Sequence, residues 1–109
     1  MSKNIFMSLS DNIYKKIRTI LYNKCPYPLD QIQPQIRFQI ELAIDSLEMY
    51  ELIAEFEQTF DIQINPDDID NFIFQPQDIQ YVNDIKTITI QDAVDYIEKQ
   101  IESEDQLEK

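Results

Sequence analysis

Apolar residues recur at intervals of three and four in three separate blocks of this chain, and this spacing restricts what it can fold into. Side chains three and four positions apart share one face of an α-helix, whereas a half-buried strand alternates apolar and polar residues. The sequence therefore predicts three amphipathic helices. Their apolar stripes are Ile13, Ile17, Ile20 and Leu21; then Met49, Leu52, Ile53, Phe56 and Phe60; then Ile90, Ala93, Val94, Ile97 and Ile101.

Hydroxyl and carboxyl side chains stand where each of these helices is expected to begin. Ser10 or Asp11 can cap the first helix, and Ser46 stands at the start of the second. Thr89 followed three residues later by Asp92 is similar to a capping box, in which side chain and backbone at a helix start bond reciprocally. These signals place the helix starts near residues 10, 46 and 89.

Prolines break the chain between the helices. Three of them, at positions 26, 28 and 34, predict a long ordered connection after the first helix. That connection is rich in apolar residues expected to lie against the core: Leu29, Ile32, Ile36, Phe38 and Ile40. Pro66 suits the first position of a short third helix, "PDDIDNF". The core is expected over about residues 10–101, with a fraying, flexible tail at 102–109.

A chain of 109 residues has room for one compact domain. The fold class predicted is therefore all-α: a small four-helix bundle with three main helices and a short third one.

Charge is unevenly distributed along the sequence. The formal net charge is -12; residues 1–37 carry six basic and two acidic side chains, and residues 38–109 carry three basic and nineteen acidic ones. Such acidity disfavours nucleic acid and anionic membranes and favours a basic partner. No run approaches the roughly 20 apolar residues of a membrane span. We expect a cytoplasmic monomer without membrane insertion.

Missing residue types exclude several kinds of chemistry. Without histidine there is no Ser-His-Asp or Cys-His arrangement, and without glycine there is no glycine-built phosphate loop. Cys25 is the single cysteine, so no intramolecular disulfide can form. The stretch "NPDDIDNF" lacks the ligand spacing of a calcium loop. The sequence predicts no metal site, and a carrier or partner of enzymes rather than an enzyme.

Two blocks, "DSLEMYELIAEFEQTFDIQI" and "TIQDAVDYIEKQ", resemble the second and last helices of acyl carrier proteins. The resemblance implies a bundle of the acyl-carrier-protein type in which Ser46, between Asp45 and Leu47, receives 4′-phosphopantetheine from coenzyme A. A phosphodiester there would meet free backbone N–H groups and the positive end of the helix dipole. The cofactor's thiol would carry the acyl group.

The same resemblance implies partners and an acyl pocket. A phosphopantetheinyl transferase would modify Ser46, with Asp45 helping to position a metal ion in that complex. Acyl-loading and acyl-processing enzymes with basic patches would dock on the second helix. The implied docking residues are Glu48, Tyr50, Glu51 and Glu57, beside Leu47. The implied pocket residues are Met49, Ile53, Phe56, Ile64, Ala93 and Ile97.

Plainer interpretations stay open at this point. Ser46 can be a bare helix cap, the glutamates a solvated face, and the apolar stripe simply core. The chain can also be an unmodified protein-interaction module with the carrier fold, or an aminoacyl or peptidyl carrier.

The chain departs from acyl carrier proteins in two places. Ala43 stands where the family usually has glycine, and it is strained if that position needs positive φ. The segment 66–89 is longer than in the family, with apolar residues at Phe72, Ile73, Phe74, Ile79 and Tyr81. We expect an enlarged third helix plus an extra turn or short helix over the bundle. This addition either lies near the acyl chain or a partner, or is a local insertion without function. Both departures favour a dedicated carrier, in a specialised fatty acid, lipid or polyketide pathway or with an amino acid as cargo, over the housekeeping carrier of fatty acid synthesis. They are also the features that favour the unmodified interaction module.

Overall fold

The computed structural model describes residues 8–24, 27–73 and 88–107, with side chains through residue 103. Its helices are α1 (Leu9–Lys24), a 3₁₀ helix (Leu29–Gln31), α2 (Ser46–Phe60), α3 (Pro66–Phe72) and α4 (Ile90–Leu107). The only extended pairing among these residues is an isolated antiparallel bridge between Arg37 and Thr89. The predicted all-α bundle of three main helices and a short third one is confirmed.

The first helix buries the predicted stripe and packs against α4. It begins earlier than predicted, because the Ser8 Oγ accepts a hydrogen bond from the Asp11 N–H at 3.1 Å. Ser10 and Asp11 therefore lie inside the helix, and their predicted role as its cap is wrong. Starting at Leu9 lets the earlier serine satisfy an N–H group that has no acceptor within the helix.

The last helix begins as predicted and ends later. The Thr89 Oγ1 accepts from the Asp92 N–H at 3.0 Å, and the Thr89 N–H donates to the Asp92 Oδ2 at 3.0 Å, which confirms the capping box. The helix continues through Leu107, beyond the expected end of the core at residue 101. The expected fraying of residues 102–109 stays a prediction. Residues 102–107 contain no glycine or proline to stop it; residues 108 and 109 lie outside the described part.

The connection after α1 lies on the core, with Ile32 and Phe38 buried. The Tyr14 hydroxyl donates to the Ile32 carbonyl at 2.7 Å, which ties the connection to α1. The prediction that Leu29 packs inward is wrong: it is 42% exposed on the 3₁₀ helix, and Arg18 holds its carbonyl at 2.9 Å. Cys25 lies outside the described residues.

The bridge joins the loop ahead of α2 to the start of α4. The Phe38 N–H donates to the Ile88 carbonyl at 3.2 Å, and the Ile90 N–H donates to the Ile36 carbonyl at 2.8 Å. The Phe38 carbonyl then accepts from the Ile44 N–H at 3.1 Å, two residues before α2. The entry to α2 is thus anchored to two other parts of the chain.

The third helix is the most lightly buried. Its seven residues include none that is fully buried, although Ile69 and Phe72 pack against the core cluster. The helix ends at Phe72 with Ile73 as its C-cap, so the expected enlargement of the third helix is wrong. The extra turn or short helix expected around Phe74, Ile79 and Tyr81 lies outside the described residues. Among the residues that are described, no helix is long and apolar enough to cross a membrane.

Candidate functional site

Ser46 is the first residue of α2, and Asp45 is its cap. The Asp45 Oδ1 accepts from the Glu48 N–H at 2.8 Å, and the Asp45 N–H donates to the Glu48 Oε1 at 3.2 Å. Interpretation of Ser46 as a bare helix cap is therefore wrong. Its side chain is half-buried, and its hydroxyl has no hydrogen-bond partner in the described part of the chain.

The start of α2 also offers backbone donors. The Glu48 N–H is taken by the Asp45 carboxylate, and the Met49 N–H by the Asp45 carbonyl at 2.9 Å. The N–H groups of Ser46 and Leu47 come too early in the helix to find an acceptor within it. Together with the positive end of the helix dipole, these two groups can stabilise a negatively charged phosphodiester on the Ser46 oxygen.

Ala43 adopts left-handed backbone, with φ 56°, just ahead of this site. The residues on either side, Leu42 and Ile44, are both buried. Their N–H groups donate to the carbonyls of Arg37 at 3.3 Å and Phe38 at 3.1 Å. The turn is thus held on both sides, and Ala43 has the positive φ at which the sequence predicts strain, since an alanine Cβ disfavours this conformation.

An ion pair closes the same loop. Arg37 and Glu41 meet at 2.6 Å between Nη2 and Oε2, and the Arg37 N–H also donates to the Glu41 Oε1 at 2.8 Å. The hydrogen bonds from Arg37 lower the pKa of Glu41 to about 2, and the hydrogen bond to Glu41 raises the pKa of Arg37. The pair joins the two ends of the turn that leads to Ala43.

The outward face of α2 carries two exposed apolar side chains, Leu47 at 69% and Tyr50 at 44%. Glu51 lies exposed beside them; we call Leu47, Tyr50 and Glu51 the docking face. Glu48 belongs to the capping box, and the half-buried Glu57 accepts the Ile64 N–H on its Oε2 at 2.9 Å. Of the four predicted docking residues, Glu48 and Glu57 thus accept hydrogen bonds from backbone N–H groups. Tyr50 and Glu51 have no hydrogen-bond partner in the described chain.

An apolar cavity of about 20 Å³ lies between α2, α3 and α4. All six predicted pocket residues line it, together with three that were not predicted to line a pocket. The lining residues are Met49, Ile53, Phe56, Ile64, Phe72, Ile88, Ala93, Tyr96 and Ile97. Tyr96 could have been found, since it follows Ala93 by three residues and so faces the same way on α4; Phe72 and Ile88 had no comparable signal.

The hydroxyl of Tyr96 is fully engaged away from this cavity. It donates to the Asp68 Oδ2 at 2.8 Å and accepts from the Gln100 Nε2 at 2.7 Å and the Asn65 N–H at 3.4 Å. None of these three partners lines the cavity. Burial and the Asp68 hydrogen bond raise the pKa of Tyr96, so the phenol is protonated and donates. The cavity therefore offers a ligand no free polar group.

The described residues bring together no three His, Cys, Asp or Glu side chains able to hold a metal ion.

Comparisons with known proteins bear on the same residues. Residues 15–73 match the family model described as the phosphopantetheine attachment site. The acyl carrier protein of Chlorobium phaeobacteroides is 36% identical over 87 residues, covering 80% of this chain and 92% of that protein. The acyl carrier protein of Trieres chinensis is 32% identical over 90 residues, covering 83% and 94%.

Among solved structures, the acyl carrier protein from Enterococcus faecalis is similar, with a TM-score of 0.62. The match covers 85% of this chain and 99% of the Enterococcus faecalis protein, with 22% sequence identity. At this identity the similarity shows the fold alone.

Proposed function

Because this chain belongs to the acyl carrier protein family, whose members are carriers rather than enzymes, we propose that Ser46 is the residue to which its cofactor is attached. Family membership makes that cofactor covalent 4′-phosphopantetheine. The observation that carries the proposal is the free Ser46 hydroxyl at the first position of α2, with the capping role already filled by Asp45.

The residues around Ser46 fit a phosphodiester. The N–H groups of Ser46 and Leu47 can donate to its oxygens, and the capping box of Asp45 and Glu48 keeps the helix start fixed. The cofactor supplies a thiol that holds an acyl group as a thioester. The chain itself contributes attachment, orientation and shelter, none of which needs a histidine or a nucleophile of its own.

The intact mass of the protein tests this assignment. Incubation with coenzyme A, magnesium and a broad-specificity phosphopantetheinyl transferase should add one phosphopantetheine to the wild type and none to Ser46→Ala. Ser103→Ala, at an exposed serine of α4, is the matched control and should gain the same mass as the wild type. Modification of Ser46→Ala would place the attachment site elsewhere.

The proposed cargo is a hydrocarbon acyl chain from a specialised fatty acid, lipid or polyketide pathway. Support comes from the apolar lining of the cavity: Tyr96 is the one lining side chain with a polar atom, and its hydroxyl is bonded to partners outside the cavity. A buried amino group would lose its water without gaining a partner, and this is costly. An octanoyl thioester should therefore raise the melting temperature of the protein above that of the unacylated form, and an alanyl thioester should not. Equal stabilisation by both would favour an aminoacyl carrier.

The proposed partners are enzymes that present basic and apolar groups to the docking face. Acyl carrier proteins interact with transferases and with acyl-processing enzymes. Here Leu47 and Tyr50 give such a partner an apolar contact, and Glu51 beside them gives it a carboxylate. The net charge of -12 attracts a basic surface from a distance.

A further inference from the structure

The apolar cavity is too small to hold any acyl chain as it stands. Its volume of about 20 Å³ has room for about one water molecule. A chain of several carbons can enter only if part of the wall moves outward, because protein interiors are close-packed and leave no other space.

The wall supplied by α3 is the one held least firmly. Residues of α2 and α4 that line the cavity, such as Met49 and Ile97, are buried in the core. The third helix has seven residues, none of them fully buried, and supplies Phe72 alone to the cavity. Elements with few buried apolar contacts open at the lowest free energy. Outward movement of α3 is therefore the easiest way to enlarge the cavity.

Tyr96 of α4 reaches both ends of α3. Its hydroxyl bonds Asp68 near the start of the helix and the N–H of Asn65, the α3 cap, while its ring meets the Phe72 ring edge-on at 5.0 Å. Gln100, one turn further along α4, donates to the same hydroxyl and fixes its direction. This one side chain therefore joins the movable wall to the fixed one.

We propose that Tyr96, Asp68 and Gln100 form a latch that holds α3 against α4 and so sets the length of hydrocarbon acyl chain that the cavity accepts. The inference rests on the proposed carrier function and makes Tyr96 a specificity-determining residue. Each methylene that enters the cavity is removed from water, which is favourable. The free energy gained in this way must exceed the free energy lost when the hydrogen bonds of the latch break. A weaker latch lets the cavity take longer chains.

Hydrogen exchange on the unmodified protein tests the latch without any cargo. Tyr96→Phe keeps the ring and removes the hydroxyl, and Asp68→Ala removes the acceptor. Both should speed amide exchange in residues 67–73 by about tenfold, as expected for loss of a hydrogen bond to a charged group. The double variant should be little faster than Tyr96→Phe alone, because that change already removes the bond to Asp68.

Tyr22→Phe is the matched control, since Tyr22 is exposed on α1 and has no hydrogen-bond partner in the described chain. It should exchange like the wild type. Unchanged exchange of α3 in Tyr96→Phe and Asp68→Ala would overturn the latch.

Acyl chains of graded length then test its consequence. A transferase moves butyryl-, octanoyl- or hexadecanoyl-phosphopantetheine from the matching acyl-coenzyme A to Ser46 of each variant and releases 3′,5′-ADP. Intact mass confirms the product, and the melting temperature is compared with that of the unacylated form. The gain should level off at a shorter chain in the wild type and Tyr22→Phe than in Tyr96→Phe and Asp68→Ala. The same length dependence in all four proteins would refute the proposed specificity.

Failure to load any variant would count against attachment at Ser46, not against the latch. The exchange measurement alone then decides whether Tyr96 holds α3.

Discussion

Ala43 occupies a backbone conformation that suits glycine, in a chain that contains no glycine at all. Left-handed backbone brings the alanine Cβ close to the following carbonyl oxygen, which costs roughly 1–2 kcal/mol. Glycine avoids that contact but loses more conformational entropy on folding. We expect Ala43→Gly to raise the free energy of unfolding by roughly 0.5–1 kcal/mol, measured by urea denaturation.

The control for this variant is the same substitution in a helix. Ala54 is exposed in the middle of α2, where glycine should lower stability by about 1 kcal/mol. The two alanines should thus respond with opposite signs. A loss of stability in Ala43→Gly similar to that in Ala54→Gly would mean that the turn is not strained.

Glu41 should make the stability of the protein depend on pH in the acidic range. Hydrogen bonds from Arg37 lower its pKa to about 2 from an ordinary 4.5. Its contribution is therefore fully present above pH 4.5 and is lost as the pH falls through about 2, because the unfolded chain takes up the proton first. Wild type should exceed Glu41→Gln in stability at neutral pH, and the difference should shrink towards pH 2.

Chemical denaturation across this pH range measures the effect. Glu102→Gln changes a carboxylate that is exposed on α4 and has no partner in the described chain. If Glu41→Gln follows the pH dependence of Glu102→Gln, the pair with Arg37 contributes nothing to folding.

At the scale of the helices, the interiors could be predicted and the ends only partly. The intervals of three and four fix which side chains face the core, so the stripe of α1 came out correctly. A helix start depends on which of several neighbouring oxygens reaches a free N–H group. Ser8 caps α1 where the sequence suggested Ser10, and Asp45 caps α2 where Ser46 was a candidate. The sequence could not choose between them, because all four are residue types that cap helices.

The cap of α2 can be tested by substitution. Asp45→Ala removes the acceptor for the Glu48 N–H and should lower the free energy of unfolding by about 1 kcal/mol. Asp45→Asn keeps a side-chain oxygen and should lose only a few tenths of that amount. Ser46→Ala should change stability by less than about 0.5 kcal/mol. Thermal or urea unfolding measures these differences. A larger loss of stability in Ser46→Ala than in Asp45→Ala would mean that Ser46, not Asp45, caps the helix.

At the scale of the whole molecule, the candidate site depends on contacts that no local pattern contains. Six of the nine cavity residues follow from the helical spacing and the family resemblance. The Tyr96 cluster joins residues 28 and 31 positions apart, and the bridge between Arg37 and Thr89 spans a longer interval still. Such pairings are set by how the helices pack, so periodicity predicts the faces of the elements but not their polar partners.

The distribution of charge is also a property of the whole chain, and it sets how partners approach. A net charge of -12 accelerates the encounter with a basic enzyme at low salt, whereas the residues at the contact decide where that enzyme docks. Glu51→Lys and Glu102→Lys change the net charge equally, but Glu51 lies in the docking face and Glu102 lies on α4. The two variants therefore separate overall attraction from local recognition.

Transferase kinetics on these variants measure the separation. We expect Glu51→Lys to lower kcat/KM for modification by about tenfold and Glu102→Lys by much less, because a misplaced like charge at the contact both slows encounter and costs binding energy. Added salt should lower kcat/KM of the wild type. It should also reduce the difference in kcat/KM between the wild type and Glu51→Lys, since screening weakens both the attraction and the repulsion. If the two lysine variants lose activity equally, enzymes recognise the acidity of the whole molecule and the α2 face is not the docking site.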